Sequence, residues 1–289
     1  MKTTPENTVL RCFTRTIALL MLLVTPALHI HSNGQEITNR LTGYFNATSD
    51  TLLYNYFSFD GNGKLDITGM GDGYYFQKGD SLIVYPDKSI FKFLLKDNKL
   101  YGVSEWVNGG VWQLIGDSVV ESRRTSAEAA DRIAYLLNQY YEIKAQDRTG
   151  FLAAEDHAYR GKMKALCDSG LSKACLDYAG LRIIENLGGI GALLGNKPVD
   201  IKQDADPEIL SIIEKVIRMG DMEGYAVLGG YYTTLQDRKK AKEVLEKGGE
   251  LGCRRCVWAA FSIALEEEAA GAEAAGKKKS VPEPVKRKK

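Results

Sequence analysis

Histidine is nearly missing from this sequence: 289 residues hold three, and two of them, His29 and His31, sit beside an N-terminal apolar segment. If that segment is removed only His157 remains, which excludes a histidine-rich metal site. An excess of either charge is also missing, since 38 Lys and Arg stand against 37 Asp and Glu. The chain as a whole therefore has no net field to draw it toward nucleic acid or acidic substrates, and no nucleic-acid partner is expected. No stretch beyond residue 30 is apolar for long enough to span a bilayer. Nor does any constellation reach the specificity of a catalytic signature, so no catalytic residue, cofactor or metal ligand is assigned.

What is present begins with a leader. Lys2, Arg11 and Arg15 precede the apolar run Ile17 to Val24, which Pro26 interrupts, and residues 1–32 read as a signal peptide. A spanning helix is the rival reading, but Ile17 to Ile30 is short for a hydrocarbon core that needs about 20 residues. Cleavage after Ser32 or Gly34 meets the demand for small residues, although neither is a clean A-x-A site. Cys12 lies ahead of the apolar run and leaves with the leader, so it is no lipid anchor. The expected product is a periplasmic or secreted chain with four cysteines, Cys167, Cys175, Cys253 and Cys256, an even count that an oxidising compartment favours as two disulfides.

Residues 37–120 alternate aromatic or branched side chains with polar ones, broken by turn signals every eight to twelve residues. Eight strands are predicted: Leu41–Ala47, Leu52–Phe59, Lys64–Met70, Gly73–Gln77, Ser81–Tyr85, Ile90–Leu95, Lys99–Ser104 and Val111–Ile115. Asp60-Gly61-Asn62-Gly63, Lys78-Gly79-Asp80, Pro86-Asp87-Lys88 and Asp97-Asn98 supply the turns. Such a meander closes into a small barrel or curves against a helix, because an open sheet must cover its edges. It is loosely similar to a lipocalin-type meander, without a specific motif.

Composition shifts after Glu121. Ser122 to Ser126 forms a polar linker, Thr125-x-x-Glu128 reads as a capping box, and Ile133, Leu136, Leu137, Tyr140 and Tyr141 make one helical stripe. Further helices are expected around Phe151–Ala165, Ala174–Ile184, Pro207–Arg218, Glu223–Leu235 and Arg238–Glu250, with Asp206-Pro207 a strong helix start. The helical domain covers 125–268, and the fold class is α+β.

Three stretches within it superpose on glycines: Cys167 to Tyr178 on Gly170, Ile217 to Gly229 on Gly220, and Gly249 to Ala260 on Gly252. In each, a glycine ends one helix, and a small residue four positions on opens the packing face of the next. With Lys240 to Lys247 ahead of the third, the pattern resembles the Sel1-like repeat, a relative of the tetratricopeptide repeat, over roughly Thr149 to Leu265. Gly220 and Gly252 are 32 apart but Gly170 and Gly220 are 50 apart, so Asn186 to Asp206 is an insertion or a degenerate unit. A helix pair cannot bury its apolar face alone, so such units stack. The resemblance implies a scaffold that offers a grooved surface to a protein or peptide. It also implies a disulfide between Cys167 and Cys175, since exported cysteine-rich members staple each hairpin in this way; a loop of that size contributes roughly 2.5 kcal/mol. The third unit has Gly249 and Val257 at the corresponding positions.

Other features of the sequence have plainer readings beside the functional ones. Cys253-Arg-Arg-Cys256 has the form of a thiol-exchange motif, but no βαβ pattern surrounds it, and a structural disulfide, local or with another partner, is preferred; a four-cysteine zinc site is a minor option. Asp60 to Asp66 opens like a calcium loop, yet Lys64 and Leu65 occupy positions that need a ligand and a glycine, so a hairpin turn is expected. Gly188 to Pro198 suggests a phosphate cradle but lacks a preceding strand and the serine or threonine after Lys197. His157 among Glu155, Asp156 and Tyr159 fits a solvated polar face. Trp106 and Trp112 are expected to fill the β core rather than line a pocket. Residues 269–289, with Lys277–Lys279 and Lys286–Lys289, read as a disordered basic tail that solubilises the chain, or touches an anionic membrane or cell-wall polymer. The function expected is therefore a non-enzymatic interaction protein, with two alternatives: a small apolar ligand or lipid held by the β domain, and a thiol–disulfide oxidoreductase at Cys253 and Cys256.

Overall fold

The computed structural model describes residues 36–68, 71–86, 89–118, 126–146, 156–195 and 204–279. The leader over 1–32, most of the linker, Thr125 and residues 280–289 lie outside them. The class is α+β, a β-barrel followed by helices.

The strands are β1 (Ile37–Thr38), β2 (Thr42–Ala47), β3 (Tyr56–Asp60), β4 (Lys64–Ile67), β5 (Gly71–Lys78), β6 (Ser81–Tyr85), β7 (Phe91–Lys96), β8 (Lys99–Gly102) and β9 (Val111–Gly116). Each of β2 to β9 pairs antiparallel with its neighbour in sequence, and β9 returns to β2, so eight strands close as an up-and-down ring. Closure leaves no free edge to protect. β5 is longer than its neighbour β4; its first half pairs with β4, and β1 occupies the rest of that edge, with Ile37 opposite Lys78. The two-residue turn Asp97-Asn98 has φ of 52° and 58°, the left-handed pair that matches hairpin twist.

Alternation along each strand sends one face inward. Phe45, Phe57, Phe59, Leu65, Ile67, Tyr75, Leu82, Val84, Phe91, Phe93, Leu100 and Trp112 meet in the ring and are nearly solvent-free. Trp112 stands edge-on to Phe57 and Phe93, with ring centroids 5.3 and 5.4 Å apart, and its Nε1–H donates to the Tyr54 carbonyl at 2.7 Å. These aromatic and branched side chains pack against one another across the ring and occupy its interior. Trp106 departs from expectation: it falls on the 3-10 turn Glu105–Val107 rather than on a strand and is 57% exposed.

The outward residues Tyr74, Phe76, Ile83 and Tyr85 are buried as well, because helices pack on β5 and β6. The helices are α1 (Ala127–Gln146), α2 (His157–Asp168), α3 (Ser172–Asn186), the single turn α4 (Ile190–Leu193), α5 (Pro207–Arg218), α6 (Glu223–Thr234), α7 (Arg238–Glu250) and α8 (Arg254–Lys279). The cap on α1 sits one residue later than the predicted box, where Ser126 Oγ accepts the Ala129 N–H at 3.2 Å. α1 lays Ala134, Leu137 and Tyr140 against the barrel, and barrel and helices belong to one compact unit that starts at Ile37. α8 runs through Lys279, so residues 269–279 are helical where a disordered tail is expected.

The pairs α2/α3, α5/α6 and α7/α8 turn at corners of one geometry. Gly170, Gly220 and Gly252 have φ of 100°, 81° and 93°. After each, the next N–H reaches the carbonyl five residues back: Leu171 to Leu166, Asp221 to Val216 and Cys253 to Gly248, at 3.1, 3.2 and 2.9 Å. This is the glycine-terminated Schellman ending. Gln236 closes α6 in the same way, with Asp237 N–H on Tyr232 O at 3.0 Å, but at φ 61° without being glycine. Left-handed backbone strains a side chain that glycine lacks. Gln236→Gly is therefore expected to raise the unfolding free energy by about 1 kcal/mol in a urea titration, and a loss of stability there would refute the strain argument.

Candidate functional site

The site is assembled from the first two helix pairs. Asp156 caps α2 by accepting the N–H groups of Ala158 and Tyr159 at 2.8 and 3.2 Å, and Asp206 caps α5 with Pro207 in its first turn. These caps fix where two helices begin that both lie against α3. Between them runs a groove of about 270 Å³, with Cys167, Tyr178 and Ile212 among its lining and Lys164, Asp168, Glu208, Ser211, Lys215 and Arg218 around them. Each falls on a helix by simple periodicity, but only the stacking of α2, α3 and α5 brings them together.

The rim is an ionic network. Lys164 Nζ lies 2.7 Å from Asp168, and Lys215 Nζ lies 3.7 Å from the same carboxylate while donating to Cys167 O at 2.9 Å. Tyr178 Oη donates to Glu208 at 3.1 Å, and Arg182 reaches Glu208 at 2.8 Å. The hydrogen bond from Lys164 holds the Asp168 carboxyl below its ordinary range, and the same contact raises Lys164. Burial, then the Glu208 contact, pushes the Tyr178 phenol up. All three shifts hold the groups in their ordinary neutral-pH states, the reverse of an acid–base pair poised near neutrality. What the arrangement can do is bind: an apolar floor takes a side chain, and mixed charges at the rim take backbone and polar groups.

The disulfide Cys167–Cys175 lies beside this floor, joining the end of α2 to α3, with both residues buried. The second disulfide, Cys253–Cys256, is local and closes the first turn of α8. Its cysteines are 4% and 0% exposed and pack with Tyr225, Ala241, Leu245 and Ile263. The arginines between them turn to carboxylates instead of sulfur, Arg254 to Asp66 at 3.0 Å and Arg255 to Glu223 at 2.7 Å. In the third pair, a Cβ placed on Gly249 comes within 3.1 Å of Val257, so the contact bridged by sulfur in the first pair is made there without it.

Sequence reasoning missed how the barrel meets the corners. Tyr74 Oη lies 2.8 Å from Ser172 Oγ, Lys64 Nζ lies 3.3 Å from Asp221, and Asp66 accepts from Arg254. The three corners, following Gly170, Gly220 and Gly252, are thus each pinned by an outward side chain of β4 or β5. The charged Lys64 and Asp66 on a short strand were the available signal.

The remaining candidates are plainer. Asp60 Oδ1 accepts the N–H groups of Asn62 and Lys64 at 2.7 and 3.0 Å within a β3–β4 hairpin turn, and burial pushes its carboxyl up. Gly188 and Gly189 end α3, while Lys197 and Pro198 lie outside the described residues. His157 is exposed at the start of α2 with Arg160 against its Nδ1. No group of three or more His, Cys, Asp or Glu among the described residues is placed to hold a metal ion. No described helix is long and apolar enough to cross a membrane. No family profile, curated protein or solved structure matches the chain.

Proposed function

We propose that this is an exported scaffold in which a short Sel1-like array, held against a solid barrel, binds a protein or peptide partner in the groove between α2 and α5. The observation that carries the reading is the common corner geometry of three successive helix pairs, at the glycines that carry the resemblance. Stacked pairs generate grooves from side chains distant in sequence, which suits recognition of an extended segment. Two disulfides fit an oxidising compartment outside the cytoplasm. The ligand-binding alternative needs a hollow ring, and the packed aromatic interior gives it no support. Thiol exchange needs an accessible sulfur beside a positive charge, and buried cysteines with outward arginines favour a structural bond.

The test is site-specific crosslinking in the native host. A photoreactive residue in place of Ser211, which is exposed at the groove, is expected to give a discrete heavier adduct, while the same residue in place of Thr51 on the barrel gives none. Arg218→Glu should reduce the Ser211 adduct severalfold. A chain that crosslinks equally from both positions, or from neither, overturns the proposal.

A further inference from the structure

The last helix leaves an apolar face uncovered. One side of α8 packs inward through Cys256 and Ile263. The other presents Val257, Trp258, Phe261 and Leu265 at 54%, 69%, 52% and 49% exposure, one continuous stripe at helical spacing. Trp258 and Phe261 already stand edge to face, 6.4 Å between centroids, so the surface is partly organised before anything binds. Single exposed apolar residues are ordinary, but four adjoining ones on the outermost helix of a stack mark an interface.

The charges at its ends indicate what covers it. On the same side of α8, Arg254 lies one turn before the stripe and Glu268 one turn after it, about symmetric around Phe261. Arg254 bonds Asp66 yet keeps 56% of its side chain exposed, with donors to spare, and Glu268 is exposed with no ion-pair partner among the described residues. A second α8 laid antiparallel, with the two Phe261 side chains meeting, sets the Val257–Trp258 turn against the Leu265 turn of the other copy and each Arg254 against a Glu268. A parallel arrangement opposes like charges at both ends. We infer that the exported chain self-associates as a two-fold antiparallel dimer through α8, each copy covering the apolar end of the other's helix stack. The contact is isologous, so it closes at two copies and does not propagate. The segment involved is about 22 Å long, a contact smaller than a standard interface, which makes this a weak and concentration-dependent dimer.

Sedimentation equilibrium of the full chain as exported by its host tests this. The wild type should show a concentration-dependent monomer–dimer equilibrium, and Phe261→Asp should weaken it about 100-fold because the change counts twice on the axis. Its thermal midpoint should stay unchanged, since Phe261 is half exposed. Arg254→Glu and Glu268→Arg should each weaken the homodimer relative to the wild type, a result that only the antiparallel arrangement produces, because in a parallel pair each change exchanges one like-charge contact for another; mixing the two variants should restore a heterodimer. A chain that remains monomeric up to about 1 mM overturns the inference. So does association unaffected by Phe261→Asp, or a dimer that forms only after residues 280–289 are removed, which would make that segment the occupant.

Discussion

Trp112→Ala is expected to cost about 3–5 kcal/mol, the range for emptying a large aromatic site in a packed core. The indole is 1% exposed and touches Phe57 and Phe93 inside a ring with no route for collapse, because eight hydrogen-bonded strands fix its circumference. The change also strips the Tyr54 carbonyl of its buried donor, which places the cost toward the upper end. The effect should not stay in the barrel. Tyr74, Phe76, Ile83 and Tyr85 form a single cluster with Leu137, Tyr140, Met163 and Ala174, so the outside of the barrel is also the inside of the helical layer. Heating should therefore show the helical and aromatic dichroism signals of the variant falling together, at a midpoint lowered by about 6–20 °C. Trp112→Phe, which keeps most of the volume and loses only the N–H donor, should fall well short of that. Helices that melt at the wild-type midpoint while the barrel signal is lost early would show that the shared cluster does not couple the two layers.

How much of this was legible in the sequence depends on how far apart the cooperating residues are. Ser81–Tyr85 was legible to the residue, because its alternation and its flanking turns are local. The strand expected from Leu52 instead starts at Tyr56, since Leu52 and Leu53 belong to a turn whose apolar content imitates a strand. β1, two residues long, has no period to read; it exists because β5 outruns β4 and needs an edge partner. Trp106 defeats the expectation of a core position because bulk says nothing about which side of a loop a residue takes. The end of α8 differs from expectation for a related reason: Gly271 and Gly276 weaken a helix locally, but the alanines and glutamates among them are strong helix formers, and the helix persists to Lys279. The groove was illegible, since Lys164 and Lys215 are ordinary surface residues until Asp168 stands between them. The pinning of the corners was equally hidden, because Arg254 and Asp66 are 188 residues apart.

The two disulfides should differ sharply in what they hold, although both are buried. Cys167 and Cys175 are eight apart in sequence and lie on two different helices, so in the unfolded chain the bond restrains a segment that would otherwise sample freely. Replacing both by alanine is expected to remove about 2.5 kcal/mol and lower the thermal midpoint by about 5–10 °C. The same loop-closure reasoning gives the three-residue separation of Cys253 and Cys256 about 1.6 kcal/mol, but that figure assumes a featureless unfolded segment. Here the bonded residues share the first turn of a helix, where Cys256 N–H already meets Cys253 O at 3.1 Å, and Val257 N–H follows it. A bond between neighbours on one turn restrains neither the preceding α7 nor the corner at Gly252, whose geometry is set by Cys253 N–H on Gly248 O. Double replacement there should cost less than half as much as in the first pair. Comparing the two variants with the wild type, oxidised and then under a thiol reductant, separates loss of the crosslink from loss of sulfur volume. Equal losses at both sites would mean that the bond near the groove does not staple α2 to α3, and that the first helix pair is held by packing alone.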